Sequence, residues 1–279
     1  MNQDREPLPT RVQGLPALPT EALELLATGL AGLGLDELPD AIVTRLVDHL
    51  RLLIAWNRAI NLTAIREPTA IVREHVLDSL SAVAILRRIG ADAVLDLGSG
   101  GGFPGLPLAL VLPARHTLLV DSVGKKAAFL TAAAALATGD APASSEPAAG
   151  EPGAIDVFAG RAEALAADRR HRERWSAIVA RAFASMAELV EVALPLVAPG
   201  GHLVAWKRRP IESELALAEP ALERLGGSRP VIEPVRIVGL EDHLLIVIQK
   251  VGPSPAGYPR DPGRRRNRPI AASDPLPSA

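Results

Sequence analysis

The stretch at residues 94–107, VLDLGSGGGFPGLP, restricts the fold of this chain more than any other. An apolar run broken only by Asp96 gives way to Gly98, Gly100, Gly101, Gly102 and Gly105, and then to a second apolar segment at 106–112. A strand, a loop that exposes its backbone and a helix produce that pattern. Glycine lacks Cβ, so the chain can turn through positive φ and a ligand can lie directly against the peptide groups. The unpaired N–H groups at the start of the following helix suit an anionic ligand group.

Two dinucleotide-type ligands compete for such a loop. A nicotinamide site prefers G-x-G-x-x-G, and here Phe103 stands where the third glycine belongs. The sequence instead offers Asp96-x-Gly98-x-Gly100-x-Gly102. An acidic residue two places before the first glycine is the pattern of S-adenosylmethionine sites, where its carboxylate can address the cofactor's ammonium group. A tight strand–helix turn in some other α/β protein remains the alternative.

The rest of the chain supplies the sheet that such a loop needs. Apolar segments at 94–97, 117–120, 155–158, 177–180, 202–206, 231–238 and 244–249 read as strands, with helical spacing at 125–137, 162–166, 186–198 and 211–225. Alternation implies a parallel sheet with helices on both faces. The last two strands have too little chain between them for a crossover, so they pair antiparallel. The expected fold is α/β: a seven-stranded Rossmann-like class I methyltransferase sheet, its last strand antiparallel, with an N-terminal helical cap. A generic doubly wound domain fits the periodicity as well. The cap comes from helical patterns at 20–35, after Asp40, and after Thr69, the last closed by Gly90.

The domain reading is a flexible N-terminus at 1–19, a helical region at 20–90, a methyltransferase domain at 91–251 with a disordered Ala/Pro/Ser/Gly-rich insertion at 138–153, and a basic flexible tail at 252–279. The absence of cysteine excludes disulfides, thiolate zinc sites and cysteine nucleophiles. It fits a reducing cytoplasm. There is no secretory signal at the start and no apolar run long enough for a membrane span. A net charge of −2 announces no nucleic-acid partner, so any basic footprint must be local.

Ligands of open α/β sheets bind beyond the carboxyl ends of the strands. That rule brings together the glycine loop, Asp121, the turn before Ala162-Glu163, and Arg181. A carboxylate at Asp121 can accept both ribose hydroxyls of an adenosyl group; a helix cap is its plainer role. Ala162 can give its N–H to an adenine ring nitrogen, and Glu163 can accept from the exocyclic amine. For Glu163 a solvated helix-start acid, and for Arg181 a structural ion pair, are the competing readings.

Taken together, WNRAINLTAIREP, HVLDSL, DLGSGGGFPGLPL, DSVGKK, RAEAL, ARAFAS and YPRDPGRRRNRPI resemble, in order and spacing, the RsmG family, also called glucose-inhibited division protein B. The resemblance runs from about Val43 to Ile270 and leaves the 138–153 insertion unmatched. These are the 16S rRNA (guanine(527)-N(7))-methyltransferases. It implies a cytoplasmic enzyme that uses S-adenosyl-L-methionine to methylate a guanine N7 of 16S rRNA in the small ribosomal subunit. A monomer is expected, with the oligomeric state otherwise open. It implies cofactor contacts at Gly98, Phe103, Ala162, Glu163 and Arg181, with Asp121 on the ribose; Gly100 of the glycine loop is expected to join them. Family members often carry a Lys-Gly pair after the fifth strand; this chain has Lys207-Arg208-Arg209-Pro210, which alters that loop.

Guanine N7 carries a lone pair and no proton, so no catalytic acid, base or metal is assigned. Lys126, Lys207, Arg264, Arg265 and Arg266 are the expected RNA contacts, through phosphate. His75 and Trp56 are read as packed rather than functional. A non-catalytic RNA-binding assembly factor and a small-molecule methyltransferase are the alternatives; the glycine loop disfavours the first and the arginine tail the second.

Overall fold

The computed structural model describes residues 8–112, 114–139 and 152–271. Helices α1 (Thr20–Gly32) and α2 (Asp40–Trp56) come first. They are followed by α3 (Pro68–Ile71), a π-helical turn (Val72–Leu77), α4 (Asp78–Leu80) and α5 (Val83–Arg88). The chain then alternates: β1 (Ala93–Leu97), α6 (Gly105–Val111), β2 (His116–Asp121), α7 (Gly124–Thr138), β3 (Ala154–Ala159), α8 (Ala162–Ala167), β4 (Trp175–Arg181), α9 (Met186–Ala193), β5 (Val197–Arg208) and α10 (Glu212–Leu225). It ends with β6 (Val231–Pro234), β7 (His243–Gln249) and a short α11 (Pro262–Asn267).

The seven strands form one sheet in the order β3-β2-β1-β4-β5-β7-β6. The first five run parallel, and β7 is antiparallel to both of its neighbours. The expected class I methyltransferase layout is therefore the observed one. Side chains alternate across the strands. Val94, Val179, Val204 and Val247 face a core built with α1–α7, whereas Leu95, Ile178, Leu203 and Ile248 face a core with α8–α10. Both faces are covered, which is why the strands read as continuous apolar runs. Strand order reverses between β1 and β4, so the loops after β1, β2, β3 and β4 converge on one edge.

Several local expectations differ from the structure. Asp40 does not cap α2: Pro39 is the N-cap and no side chain bonds the first turn. Nor does Thr69 cap the next helix. Pro68 takes the first helical position, which leaves Glu67 as cap, accepting from Thr69 N and Ala70 N at 3.1 and 2.7 Å. The single helix expected after Thr69 is broken by the π-helical turn. The sixth strand stops at Pro234 rather than Val238.

The two segments expected to be loose are packed where described. Trp56 Nε1 donates to Pro9 O at 2.6 Å, and the Arg51 guanidinium donates to the carbonyls of Val12, Leu15 and Pro16. At the other end Arg172 donates to Ser254 O, Pro255 O and Tyr258 O, Arg260 pairs with Glu191 at 2.7 Å, and Ile270 is buried. Most of the 138–153 insertion, at 140–151, lies outside the described residues, as do 1–7 and 272–279.

Candidate functional site

At the tip of β1 the chain turns through Gly98, Gly100 and Gly102, with φ of +75°, +55° and +86°. Side chains rarely adopt such angles, so the turn requires glycine. Gly98 N and Ser99 N both donate to Val120 O, which lays the loop across the tip of β2. Asp121 then ties the loop down: Oδ2 accepts from Gly100 N at 3.0 Å and Oδ1 from Val123 N at 2.8 Å. It does not cap α7, whose N-cap is Val123. Each carboxylate oxygen keeps a second lone pair, so Asp121 can still accept ribose hydroxyls.

Asp96 lies beneath the loop. Its side chain is fully buried, Oδ2 accepts from Gly105 N at 2.9 Å, and Oδ1 has no partner. Burial pushes its pKa up to about 7, against the Gly105 hydrogen bond. The carboxyl group braces the loop against the start of α6 and does not line the cavity beyond the strand tips.

Beyond these tips lies a cavity of about 420 Å³. Gly98, Asp121, Ala162 and Glu163 line it, from the loop after β1, the end of β2 and the start of α8. Gly100 contributes through its bond to Asp121. Phe103 and Arg181 stand outside this cavity. Phe103 is buried between the rings of His49 and His75, at centroid distances of 4.7 and 4.9 Å, and the Arg181 guanidinium sits 5.4 Å from its centre. Arg181 is held by Asp78 Oδ2 at 3.1 Å and by Glu74 O at 2.8 Å. Burial pushes its pKa down, and the Asp78 carboxylate opposes that shift.

The expected RNA contacts divide in the same way. Lys126 and Arg266 line the mouth of the cavity, and Arg264 is exposed. Arg265 does not face outward. Its guanidinium is 3% exposed, pairs with Glu163 and also lies 3.8 Å from Glu188. Lys207 likewise donates to Ala184 O and Glu214 Oε1, both at 2.6 Å. An arginine in a basic tail reads the same from sequence whether it points out or in, and only the fold brings Glu163 to it.

The sequence also gives no reason to single out His49. It sits on the apolar face of α2, and its Nε2 donates to Gly101 O at 2.9 Å. A Cβ on Gly102 would meet that nitrogen at 2.9 Å. The first long helix of the cap thus props the glycine loop directly. Burial lowers the His49 pKa to about 4, which keeps the ring neutral.

A second cavity, of about 350 Å³, opens behind Ala182, which borders both. His75, Asp78, Arg181, Trp206, Lys207 and His243 line it. His75 has its pKa lowered to about 4 by burial and by the neighbouring Arg181 charge.

Known proteins resemble this chain over nearly all of its length. The family model described as GidB, rRNA small subunit methyltransferase G, matches residues 42–141. The ribosomal RNA small subunit methyltransferase G of Roseiflexus castenholzii (strain DSM 13941 / HLO8) is 42% identical over 240 residues, covering 86% of this chain and 95% of that protein. The corresponding protein of Chloroflexus aggregans (strain MD-66 / DSM 9485) is 38% identical over 252 residues, covering 90% and 98%. The chain belongs to the rRNA small subunit methyltransferase G family. The segment matching the family model contains His49, the glycine loop and Asp121. Glu163, Arg181 and the C-terminal arm lie beyond it.

The residues present fit the cofactor that a methyltransferase of this family requires. A Cβ on Gly98 would project to within 3.0 Å of Phe183, into space beside the cavity. Asp121 brings a carboxylate to the cavity wall, and Ala162 and Glu163 bring a backbone N–H and a second carboxylate to the same cavity. Among the described residues no group of His, Asp and Glu could hold a metal ion.

Proposed function

We propose that this protein transfers the methyl group of S-adenosyl-L-methionine to N7 of a guanine, of the position-527 type, in 16S rRNA of the small ribosomal subunit. The observation that carries the reading is the match to a ribosomal RNA small subunit methyltransferase G that is nearly covered end to end. The cavity at the tips of β1–β3 supports it, since it brings Gly98, Asp121, Ala162 and Glu163 together where the fold puts ligands. In this reading 20–90 is the helical cap, 91–251 the catalytic unit and 252–271 an arm closing the cofactor side.

When bound, S-adenosylmethionine supplies a methyl group on a positively charged sulfur. Gly98 and Gly100 let the ligand approach the backbone, Asp121 takes the ribose hydroxyls, and Ala162 and Glu163 take the adenine edge. Guanine N7 has a lone pair and no proton, so no side chain removes one. Holding the reactants in line is worth roughly 7–11 kcal/mol of barrier in such cases. Lys126 and Arg266 meet RNA phosphates at the cavity mouth, and the exposed Arg264 beside them on α11 does the same.

The test is methyl transfer from labelled S-adenosylmethionine to small subunits that lack the modification, with the labelled position mapped. Label at a guanine N7 of 16S rRNA is expected. No transfer to either intact subunits or bare 16S rRNA would sink the reading. Calorimetry addresses the assembly-factor alternative, which expects no heat on adding the cofactor.

A further inference from the structure

We propose that the cavity behind Ala182 receives the target guanine, and that His243, oriented by Asp78, accepts a hydrogen bond from guanine N1–H. The proposal rests on the functional reading above and adds to it the groups that select the base and stabilise its charge.

Asp78 is 1% exposed, and both of its oxygens are committed: Oδ1 to His243 Nδ1 at 2.9 Å and Oδ2 to Arg181 at 3.1 Å. A carboxylate at Nδ1 fixes the proton there and leaves Nε2 as a lone-pair acceptor. The His243 side chain is more than nine-tenths buried, and the nearest charged partner of Nε2 is Asp242 at 3.9 Å, beyond hydrogen-bond reach. His243 lines the cavity with this acceptor uncommitted.

The cavity suits a base better than a phosphate, because its cations are already matched. Arg181 is held by Asp78, Lys207 by Glu214, and Arg208 lies 3.8 Å from both Glu74 and Asp242. The Trp206 indole, fixed by its Nε1–H bond to Asp78 O at 2.8 Å, gives a flat wall. Ala182, with φ +52° directly after Arg181, puts backbone on the border shared with the cofactor cavity. His243 starts β7, two strands across the sheet from β4, which is roughly 10 Å. That span takes a purine with N7 toward the cofactor side and N1 toward the histidine.

The chemistry makes N1 the edge to read. Guanine N1 carries a proton and adenine N1 a lone pair, so a bare Nε2 accepts the first and repels the second. Methylation leaves the purine cationic and its N1–H a stronger donor. An Nε2 acceptor backed by a carboxylate at Nδ1 therefore holds the product-like base more tightly than the starting one, without any proton leaving N7. Enzymes that act on a base take it out of the stack into a pocket of this kind.

The experiment compares 7-methylguanosine with 1,7-dimethylguanosine, which lacks N1–H, by calorimetric titration of protein loaded with S-adenosylhomocysteine. The wild type is expected to prefer the first by roughly tenfold or more. His243→Ala is expected to abolish the preference and to slow single-turnover transfer to small subunits, while binding S-adenosylmethionine as the wild type does. His243→Gln, which keeps an acceptor oxygen, should restore part of the preference, and Asp78→Asn should reduce it. Wild type with no preference, or with no detectable binding of 7-methylguanosine, overturns the proposal. So does a preference retained in His243→Ala. A His243→Ala chain that has lost cofactor affinity would be replaced by His243→Gln for the same comparison. Wild type that puts no methyl on guanine N7 overturns the functional reading itself, whereas active wild type with an indifferent His243 overturns only the base pocket.

Discussion

Gly98 carries two constraints at one position, a φ of +75° and a neighbour, Phe183, 3.0 Å from where a Cβ would be. Gly98→Val therefore strains the turn and pushes a branched side chain toward the ligand, and calorimetry with S-adenosylmethionine should show no binding. Retained affinity would assign the loop another role. His49 gives a prediction in pH. Its pKa is about 4 in the fold against an ordinary value of 6.5, so the unfolded chain binds the proton more readily. The stability due to its neutral ring is fully present above about pH 6.5 and is lost as pH falls toward 4. The whole swing is about 3 kcal/mol. His75 shifts in the same direction. Asp96 has the opposite sign: with its pKa raised from 3.8 to about 7, it costs stability at neutral pH and regains it as pH falls through 7 toward 3.8. Two groups against one still leave a net loss toward acid between pH 6.5 and 4. His49→Gln keeps a donor for Gly101 O and does not titrate. Its unfolding free energy, measured by denaturant titration at a series of pH values, should lose about one proton's worth of that slope, and an unchanged slope would show that His49 does not set it.

The C-terminal arm separates three neighbouring arginines into two roles. Arg265 is inside, paired with Glu163 on the cofactor cavity, whereas Arg264 and Arg266 are exposed. The double change Arg264→Ala and Arg266→Ala should leave the melting temperature alone and lower the salt dependence of RNA binding, by roughly one unit of log–log slope for each phosphate no longer neutralised. Arg265→Ala should do the reverse, lowering stability and cofactor affinity by several-fold or more while the salt slope stays, since it strands Glu163 and uncouples α11. Equal effects from both variants would mean that the arm has a single role. This division also shows what the sequence makes legible. Strand tips and the glycine loop are readable because a short, nearly continuous apolar run ending in glycines has few other meanings. The cap of α3 is misread because the proline after Glu67 moves the cap two residues upstream of Thr69. The direction of Arg265, the propping role of His49 and the Asp78–His243 pair are not readable, because each depends on residues far apart in the chain meeting in the fold. A buried histidine on a helix face looks like any other until its partner is known.

At the scale of the whole molecule, the helical region and the sheet share one core. Val12, Leu26, Leu46 and Trp56 belong to the same buried cluster as Val94, Phe129, Val179 and Val247. That cluster covers an entire face of the sheet. A boundary near residue 90 is consequently a boundary of role rather than of folding. Calorimetric unfolding of the full chain should show one transition, with its measured enthalpy equal to the van't Hoff enthalpy. A chain lacking residues 1–57 should fail more severely than the loss of a separate domain would suggest. It uncovers Phe129, whose ring meets Trp56 at 5.4 Å, and it removes the His49 bond to Gly101. Such a fragment should bind a hydrophobic dye, melt without a sharp transition and give no heat with S-adenosylmethionine, even though every residue lining the cofactor cavity remains. A fragment that melts cooperatively and binds the cofactor would show instead that the sheet and its second helical layer fold alone, and that the cap serves only the RNA side.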